Sequence, residues 1–404
     1  MNDFLTLNDL PDLSGQTVLI RGDLDVPLRG GTVTDDTRLR ALLPTLQELL
    51  ASQNCKIIIM GHLGRPNGQP SDEFSLAPVA KHLGALLDSD VQFIDAPLDQ
   101  ASVTIANAPC PSVMMIENTR FYTGEKSNDN KFAQALAKLA DIYVNNAFAS
   151  AHRAHASVEA ITHYIPSYAG RLIEAELNAL SSALETPKKP VAALVGGAKV
   201  STKLSILNAL VSKVDIMILG GGMANTFLYA QGHAVGASLC ERDMLDEVQT
   251  ILATAKAENC EIILPVDVVV AAEFAANAPH KTVLIDAITE DDMALDLGAK
   301  SIDLINAKLD NAKTLLWNGP LGAFEIEPFD HATVQVAKHA AELTQDNALV
   351  TIAGGGDTLA ALEHAGAKND FSYVSTAGGA FLEYVEGKTL PAIKALTVAK
   401  SKAT

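Results

Sequence analysis

Short apolar runs recur along the chain, and each is followed by a polar or glycine-rich turn and then by a helical pattern. The runs lie within 17–27, 56–66, 112–122 and 141–148 in the first half, and within 190–199, 215–225, 261–271, 314–325, 348–358 and 372–381 in the second. Strands that are apolar almost throughout and alternate with helices are typical of parallel sheets buried on both faces. The pattern therefore predicts an α/β fold with doubly wound parallel sheets, in which ligands bind beyond the carboxyl ends of the strands.

A helical pattern separates the two groups of strands. Its apolar residues recur at the spacing of one helix face: Leu172, Ile173, Leu177, Leu180 and Leu184. The segment TPKKP at 186–190 ends this pattern, and a chain of 404 residues exceeds what one hydrophobic core usually serves. We therefore predict two domains, over 1–168 and 187–385, joined by a connecting helix and hinge over 169–186.

The composition is that of a folded globular protein, with 48% hydrophobic and 19% charged residues. The net charge of −18 makes nucleic acid a poor partner, because phosphate backbones bind to basic surfaces. No apolar run approaches the ~20 residues that span a bilayer, and no basic leader precedes an apolar stretch at the N-terminus. The four cysteines are scattered without a C-x-x-C pair, which indicates reduced thiols. We therefore expect a cytoplasmic protein that binds neither nucleic acid nor membranes.

The strands of the first half end in arginine, histidine and aspartate. Four cationic or titratable residues follow the runs: His62, Arg65, Arg120 and Arg153. A single arginine is more often part of a surface ion pair, but several at strand ends predict a site for one small polyanion, because guanidinium groups bind carboxylate and phosphate through paired hydrogen bonds. Arg38 in DTRLR is a further candidate, and Asp23 can accept a hydrogen bond from a substrate hydroxyl.

The segment AHRAH at 151–155 allows two interpretations. His152 and His155, with Arg153 between them, could form a metal site or part of a cluster that contacts an anion. A zinc site needs about four close ligands, no nearby cysteine or acidic residue completes the pair, and the arginine would repel a metal ion. The pattern favours anion contact by Arg153, and the histidines are expected to orient the loop.

The strands of the second half end in glycine pairs and triplets. Glycine lets backbone N–H groups approach phosphate oxygens, and a following helix N-terminus adds a favourable dipole. VGGAKVSTK supplies Lys199 and Lys203, which share one face if the helix has begun there. AGGGDT supplies Asp357 and Thr358, which suit a magnesium ion held mainly by nucleotide oxygens, and Glu325 can accept hydrogen bonds from a ribose. Four such clusters favour a nucleotide site over simple tight turns, although neither G-x-x-x-x-G-K-[ST] nor a complete G-x-G-x-x-G is present.

Ten segments, in this order, resemble the phosphoglycerate kinase family: RGDLDVP, GHLGRP, ENTRF, VNNAFASAHRAHAS, GGAKVSTK, GGGMANTFL, LPVD, WNGPLGAFE, GGGDT and STAGGAFLEYVEGKTLP. They cover nearly the whole chain. The resemblance implies two Rossmann-like domains joined by a helix, with a C-terminal segment over 386–404 that returns to the first domain. It also implies a monomer that transfers a phosphoryl group reversibly between 1,3-bisphosphoglycerate and ADP, yielding 3-phosphoglycerate and ATP, with Mg²⁺, in-line attack and hinge closure.

The resemblance further implies roles for individual residues. The implied sugar-acid site comprises Asp23, Asp25, Arg38, His62, Leu63, Gly64, Arg65, Arg120 and Arg153. The implied nucleotide site comprises Gly197, Ala198, Lys199, Lys203, Gly221, Gly222, Gly298, Asn318, Pro320, Gly322, Glu325, Gly355, Gly356, Asp357 and Thr358. Asp357 is the implied magnesium contact, and the implied catalytic cations are Arg38, Lys199 and Lys203. A substrate carboxylate with a pKa near ~3.5 is already ionised at neutral pH, so alignment and charge neutralisation replace a general base.

The chain departs from the family pattern at several positions. Asp25 stands where the family usually has Asn, and Asn146 stands where it usually has Asp. We hypothesise that these side chains are neighbours that have exchanged acid and amide, at roughly 3–4 Å or through one shared partner. Two independent changes are the alternative. The remaining departures are Ala149, Ser150, Thr202 and Ala377.

Two other functions fit the same residue types. Another two-domain kinase of small acids, such as an acetate-type or amino-acid kinase, would phosphorylate those acids and not 3-phosphoglycerate. A non-catalytic two-lobed anion-binding protein would bind without turnover and would leave Lys203 and Asp357 without a role. Measuring ATP consumption with 3-phosphoglycerate separates the three.

Overall fold

The computed structural model describes residues 4–51 and 54–403. The chain forms two compact units: the first runs to Leu177 and resumes at Thr389, and the second covers Asn178–Lys388. Each unit is built around a six-stranded sheet. None of the helices in the described ranges is long and apolar enough to cross a membrane.

The first unit contains one large sheet and a short hairpin. Its strands are β1 (Thr17–Gly22), β2 (Leu28–Arg29), β3 (Thr32–Val33), β4 (Lys56–Met60), β5 (Val91–Ile94), β6 (Ser112–Ile116), β7 (Ile142–Asn146) and β8 (Ser167–Ala169). The large sheet has the order β5-β6-β4-β1-β7-β8, and its strands pair in parallel. β1 is therefore central, with β4 and β7 beside it, and β2 and β3 form the hairpin.

The strands of this sheet are apolar throughout because both of its faces are buried. Along β1, Val18 and Ile20 belong to one hydrophobic cluster, whereas Leu19 between them belongs to another. Successive side chains of a strand point to opposite faces, so a strand covered on both sides cannot alternate with polar residues. The predicted doubly wound parallel sheet is confirmed for this unit.

Helices accompany these strands along the chain: α1 (Thr37–Ala51), α2 (Ala77–Leu87), α3 (Leu98–Asn107), α4 (Thr123–Lys126), α5 (Asn130–Ala137) and α6 (Arg171–Leu184). In α1, Leu39, Leu42, Leu46 and Leu49 are buried at intervals of three and four residues, which places them on one face. The predicted connecting helix corresponds to α6, and the division between the two units falls inside it.

The second unit contains a parallel sheet and a smaller antiparallel one. Its strands are β9 (Val191–Val195), β10 (Ile216–Leu219), β11 (Glu261–Ile263), β12 (Asp267–Ala271), β13 (His280–Leu284), β14 (Met293–Leu297), β15 (Thr314–Asn318), β16 (Val350–Gly354) and β17 (Tyr373–Ser375). The parallel sheet has the order β11-β10-β9-β15-β16-β17, and the antiparallel sheet has the order β13-β12-β14.

The apolar run over 261–271 does not form one strand. Its first part is β11 in the parallel sheet and its last part is β12 in the antiparallel sheet. Pro265 lies between them and has no backbone N–H to donate to a sheet ladder. The antiparallel sheet was not predicted, because most of β13 is exposed and therefore lacks an apolar pattern.

The remaining helices are α7 (Leu204–Leu210), α8 (Gly221–Ala230), α9 (Leu245–Ala257), α10 (Ala299–Asn311), α11 (His331–Gln345), α12 (Gly356–His364), α13 (Gly378–Val385) and α14 (Pro391–Ala403). The last of these, α14, belongs to the first unit, where the backbone N–H of Ala392 donates to the carbonyl oxygen of Ala151 at 3.1 Å. The predicted return of the C-terminal segment to the first domain is confirmed.

Candidate active site

The residues predicted for an anion site lie at one edge of the first sheet. β6, β4, β1 and β7 are neighbours in that sheet, and the segments that follow them carry Arg120, His62, Asp23 and Arg153, respectively. Parallel strands end at the same edge, so these segments converge there. Arg38 joins them from the first turn of α1.

Arg38 connects the two aspartates that follow β1. Its Nη1 donates to the carbonyl oxygen of Asp25 at 2.8 Å and lies 3.4 Å from Asp23 Oδ1 and 4.0 Å from Asp25 Oδ2. Burial raises the pKa of Asp23, and the charge of Arg38 opposes this shift. The guanidinium of Arg38 thus lies close to two carboxyl groups at the end of the central strand.

Asp25 is also bound to the loop that follows β4. Its Oδ1 accepts a hydrogen bond from the Gly64 N–H at 2.9 Å, and its Oδ2 lies 3.6 Å from His62 Nε2. Burial alone would raise the pKa of Asp25, but the neighbouring His62, the hydrogen bond from Gly64 and the charge of Arg38 hold it well below its usual range. The segment GHLGRP is therefore held to the end of β1 by an ionised carboxylate.

The predicted arginines differ in burial. Arg120 is buried, whereas Arg65 and Arg153 are exposed. Arg120 Nη1 donates to the carbonyl oxygen of Gly64 at 2.7 Å, but its buried Nε has no hydrogen-bond partner among the described residues. A buried donor without a partner costs roughly 1–3 kcal/mol. A bound anion would supply the missing acceptor.

Asn118 was not predicted, yet it holds two of the predicted loops together. Its Nδ2 donates to the carbonyl oxygens of Leu63 at 2.7 Å and Phe74 at 2.9 Å, and its Oδ1 accepts from the Arg120 N–H at 3.0 Å. Leu63 is buried and takes part through its carbonyl group. The motif ENTRF predicted a role for Arg120 because of its charge. The contacts of Asn118 in the same motif are visible only in the folded structure.

The two histidines of AHRAH differ in burial: His155 is buried, whereas His152 is partly exposed. The described residues contain no group of three or more His, Cys, Asp or Glu side chains that could hold a metal ion. Burial, together with the charges of Arg120 and other nearby cations, lowers the pKa of His155 to about 4. The Nε of Arg153 donates to His152 Nε2 at 3.2 Å, so His152 orients the neighbouring arginine.

The glycine-rich loops of the second unit line a cavity of about 580 Å³. This volume lies within the range of about 300–1,000 Å³ found for small-molecule sites. The predicted nucleotide residues that line it are Gly197, Ala198, Gly221, Gly222, Pro320, Gly322, Glu325 and Asp357. These residues come from four separate loops, which the parallel sheet brings to one place.

The rest of the cavity wall is apolar and was not predicted. It comprises Ala237, Leu239, Phe274, Met293, Ala294, Leu295 and Ala323. Leu239 and Phe274 are 49% and 58% exposed, which is unusual for large apolar side chains and suits a flat aromatic ligand. Apolar side chains carry no recognisable chemistry in a sequence, so the polar motifs revealed only one side of this cavity.

Two glycines are required where the loops after β9 and β10 meet. A Cβ atom on Gly221 would lie 2.6 Å from the carbonyl oxygen of Gly197, and one on Gly222 would lie 2.7 Å from the carbonyl oxygen of Ala198. Gly221 also has a φ of 68°, which L side chains rarely adopt. The two backbones can therefore approach only because side chains are absent.

Lys203 and Asn318 form a polar group next to these loops. Lys203 Nζ donates to Asn318 Oδ1, and Asn318 Nδ2 donates to the carbonyl oxygen of Gly354 at 2.7 Å. The hydroxyl of Thr358, which is buried, donates to the same carbonyl oxygen at 2.9 Å. Burial lowers the pKa of Lys203, and the charge of Asp357 opposes this shift. Asn318 and Thr358 therefore hold the glycine loop beside a partly desolvated lysine.

Lys199 and Lys203 would share one helix face only if the helix had begun there, and this condition is not met. The helix α7 begins at Leu204, so both lysines precede it. The Lys203 N–H donates to the carbonyl oxygen of Val200 at 2.9 Å in the preceding turn, and Lys199 is exposed.

The other predicted glycines have separate positions. Gly298 does not line the cavity: a Cβ atom there would lie 2.3 Å from the carboxylate of Asp267, which accepts from the Ser301 N–H at 2.8 Å at the start of α10. Gly355 precedes α12 with a φ of 103°, and Gly356 is its first residue. The N-terminus of α12 thus lies at the end of β16, where backbone N–H groups suit phosphate oxygens.

Asp357 is the residue that fits a magnesium ion. It is exposed in the first turn of α12 and lines the cavity. Mg²⁺ usually takes one or two carboxylates and obtains its other ligands from phosphate oxygens and water. The exposed carboxylate of Asp357, beside a nucleotide-sized cavity, matches this donor set.

The proposed exchange between Asp25 and Asn146 is wrong. Asn146 Oδ1 accepts from Thr45 Oγ1 at 2.8 Å and from the Leu172 N–H at 3.0 Å, at the start of α6. Asp25 contacts the loop after β4, and the two side chains share no partner among the described residues. Asn146 lies inside the fold beside α6, so the two substitutions are independent.

The comparisons with known proteins agree on one family. The family described as phosphoglycerate kinase matches residues 7–388. A phosphoglycerate kinase of Methylobacterium radiotolerans is 55% identical over 98% of this chain and 99% of its own length, and one of Zymomonas mobilis is 55% identical over 97% and 99%.

Solved structures show the same similarity in three dimensions. The phosphoglycerate kinase of Coxiella burnetii superposes with a TM-score of 0.90 at 43% identity, covering 99% of this chain and 100% of its own. That of Pyrococcus horikoshii superposes with a TM-score of 0.81 at 28% identity, covering 98% and 100%. With its family segments in order and its two parallel-sheet units matched over nearly their full length, the chain belongs to the phosphoglycerate kinase family.

Proposed function

We propose that the chain transfers a phosphoryl group reversibly between 1,3-bisphosphoglycerate and ADP, yielding 3-phosphoglycerate and ATP, as a step of glycolysis. The first unit binds the sugar acid through the cations at its sheet edge, and the second binds the nucleotide in the glycine-lined cavity. The observation that carries this assignment is the buried Nε of Arg120, which lacks a partner among cations that converge on one edge. Family membership supports a phosphorylated glycerate as the anion.

The reaction needs no general base. The carboxylate of 3-phosphoglycerate has a pKa near ~3.5 and is ionised at neutral pH, so it attacks the terminal phosphoryl group directly. Catalysis then depends on alignment and on neutralising the negative charge of the moving group. Arg38 and Lys203 supply fixed positive charge, and Lys199 supports them from the same loop as Lys203. A closing motion of the two units, expected from the family resemblance, stays a prediction.

Asp357 would hold Mg²⁺ together with nucleotide oxygens. When bound, the ion neutralises phosphate charge. We further propose a cytoplasmic location, because all four cysteines are free thiols. We also propose a monomer, which the family resemblance implies. We likewise propose the roles of the individual residues. The proposed functional limits of the domains and the C-terminal segment are 1–168, 187–385 and 386–404.

The proposed activity is tested by coupling ATP consumption to NADH oxidation with 3-phosphoglycerate as the acceptor. Acetate and glutamate serve as rival acceptors under the same conditions. Turnover with 3-phosphoglycerate alone supports the proposal. Turnover with a rival acid, or tight binding of 3-phosphoglycerate without ATP consumption, contradicts it and selects one of the alternative functions.

Asp25→Asn is expected to lower the KM for 3-phosphoglycerate by on the order of 3- to 10-fold at low ionic strength, with the KM for ATP unchanged. The ionised carboxylate of Asp25 stands beside His62 and shares Arg38, so it repels an incoming anion. An amide keeps the oxygen that accepts from Gly64 and removes the charge. Steady-state kinetics at several salt concentrations measure the effect, which should shrink as salt is added.

Asp90→Asn provides the matched control, because Asp90 is exposed and precedes β5, away from the edge where the cations converge. It changes the net charge equally and should leave both KM values unaltered. If Asp25→Asn instead raises the KM for 3-phosphoglycerate at every salt concentration, the carboxylate contributes a favourable contact to the substrate.

A further inference from the structure

Arg21 lies in β1 and is completely buried, and its guanidinium is bound on three sides. Its Nε donates to Ser157 Oγ at 3.0 Å, its Nη1 donates to the carbonyl oxygen of Gly22, and its Nη2 lies 2.7 Å from His62 Nδ1. Ser157 Oγ in turn donates to Glu125 Oε1 at 2.6 Å. The hydroxyl of Ser157 therefore links the positive charge of Arg21 to the carboxylate of Glu125, which is also fully buried.

This contact dictates the protonation of His62. A guanidinium group only donates hydrogen bonds, so His62 Nδ1 must accept and cannot carry a proton. In a neutral imidazole the proton must then reside on Nε2. That atom points toward the site edge, 3.6 Å from Asp25 Oδ2. The ring therefore presents a donor to the place where the anionic substrate is expected.

We propose that Arg21 is a positioning residue that holds His62 as the neutral tautomer protonated at Nε2, so that the ring donates a hydrogen bond to the bound sugar acid. The proposal rests on the proposed function for the identity of that acid. The tautomer itself is a property of the free protein and can be measured without any substrate.

The groups around the ring reinforce this state. Arg21 faces it from β1, Arg120 faces it from the segment after β6, and Asp25 faces it from the segment after β1. Burial lowers the pKa of His62 to about 3, the charges of Arg21 and Arg120 act in the same direction, and Asp25 opposes them. Removing Arg21 frees Nδ1 and removes one of the repelling charges, so the pKa of His62 should rise toward its ordinary value.

The variant Arg21→Met tests the role of the guanidinium, and Arg21→Lys is its conservative partner. Methionine offers no donor to Nδ1, whereas the ammonium of lysine can still donate to it. The expected result for Arg21→Met is a KM for 3-phosphoglycerate roughly tenfold or more above that of the parent near pH 8, with a smaller difference near pH 5. At the lower pH the ring becomes protonated and again presents a donor. Arg21→Lys should recover part of the loss, and the KM for ATP should not change in either variant.

Nitrogen-15 spectra of the histidine rings distinguish positioning from a general loss of structure. In the full chain labelled at histidine, the signal of His62 is identified by its absence in His62→Gln. The parent should show a protonated Nε2 and an unprotonated Nδ1, with no titration between about pH 5 and about pH 9. Arg21→Met should show a titrating ring or a changed tautomer, and Arg21→Lys should resemble the parent.

Two results overturn the proposal. One is a parent spectrum with the proton on Nδ1, a result that needs no Arg21 variant and stands even if Arg21→Met fails to fold. The other is a folded Arg21→Met protein whose His62 spectrum equals that of the parent. A parent with the expected tautomer but no activity on 3-phosphoglycerate would leave the tautomer assignment intact and refute the proposed function instead.

Discussion

Lys203→Ala is expected to lower kcat by roughly a hundredfold or more while changing the KM for ATP much less. Lys203 is half-buried, donates to Asn318 and lies in the loop that precedes α7, next to the glycines that line the cavity. A preorganised cation in a partly desolvated position stabilises charge on a moving phosphoryl group more strongly than it stabilises the resting nucleotide. Measurements of kcat and KM at saturating 3-phosphoglycerate test this expectation.

Lys256→Ala is a suitable control for Lys203→Ala. Lys256 is exposed on α9 and does not line the cavity, so its removal changes the net charge by the same amount without altering the site. Nearly normal kcat with a raised KM for ATP in Lys203→Ala would show that Lys203 serves binding of the resting nucleotide. Thermal unfolding of both variants checks that neither effect arises from lost stability.

Arg120→Ala is expected to raise the KM for 3-phosphoglycerate by about tenfold to a hundredfold and to leave the KM for ATP within about twofold of the parent. Its guanidinium is buried at the sheet edge, binds Gly64 through Nη1 and keeps Nε without a protein acceptor. A hydrogen bond between such a group and an anion is among the stronger ones. Arg65→Ala should act in the same direction but less strongly, because Arg65 is exposed.

Arg40→Ala is the control for these arginine variants. Arg40 is exposed on α1 and its Nε pairs at 2.8 Å with Asp36, which immediately precedes that helix, so its loss should leave both KM values unchanged. Equal increases in the KM values for both substrates in Arg120→Ala would show that the assignment of the two ligands to separate units is wrong. Circular dichroism of Arg120→Ala checks that the variant keeps the secondary structure of the parent.

Sheet architecture and the convergence of the anion residues could be predicted from the sequence because they depend on local pattern. Strands buried on both faces are apolar throughout, and parallel strands present their carboxyl ends at one edge. His62 and Arg120 were therefore identifiable from their position after an apolar run. The glycine loops were identifiable for the same reason, and the ordered family segments then specified the ligands.

Other features of the site depend on contacts that no spacing reveals. Arg21 and Ser157 are 136 positions apart in the sequence yet share a hydrogen bond, and the tautomer of His62 follows from that network. The apolar cavity wall comes partly from β14, in a sheet that the hydrophobic pattern did not predict. Such groups are brought together by folding and carry no local signature.

The two departures from the family pattern, Asp25 and Asn146, also separate what the sequence determines from what the tertiary structure determines. The sequence by itself determined that an acid stands at Asp25 and an amide at Asn146. Whether the two side chains are neighbours, as an exchange between them would require, could be decided only by the tertiary structure. Asn146 is turned toward Thr45 and the first turn of α6, whereas Asp25 is turned toward the loop after β4. The local sequence pattern determines which strands form and where they end, because a strand that is buried on both faces must itself consist of apolar residues. The direction of each side chain beyond the strand end is decided by neighbours far away in the chain.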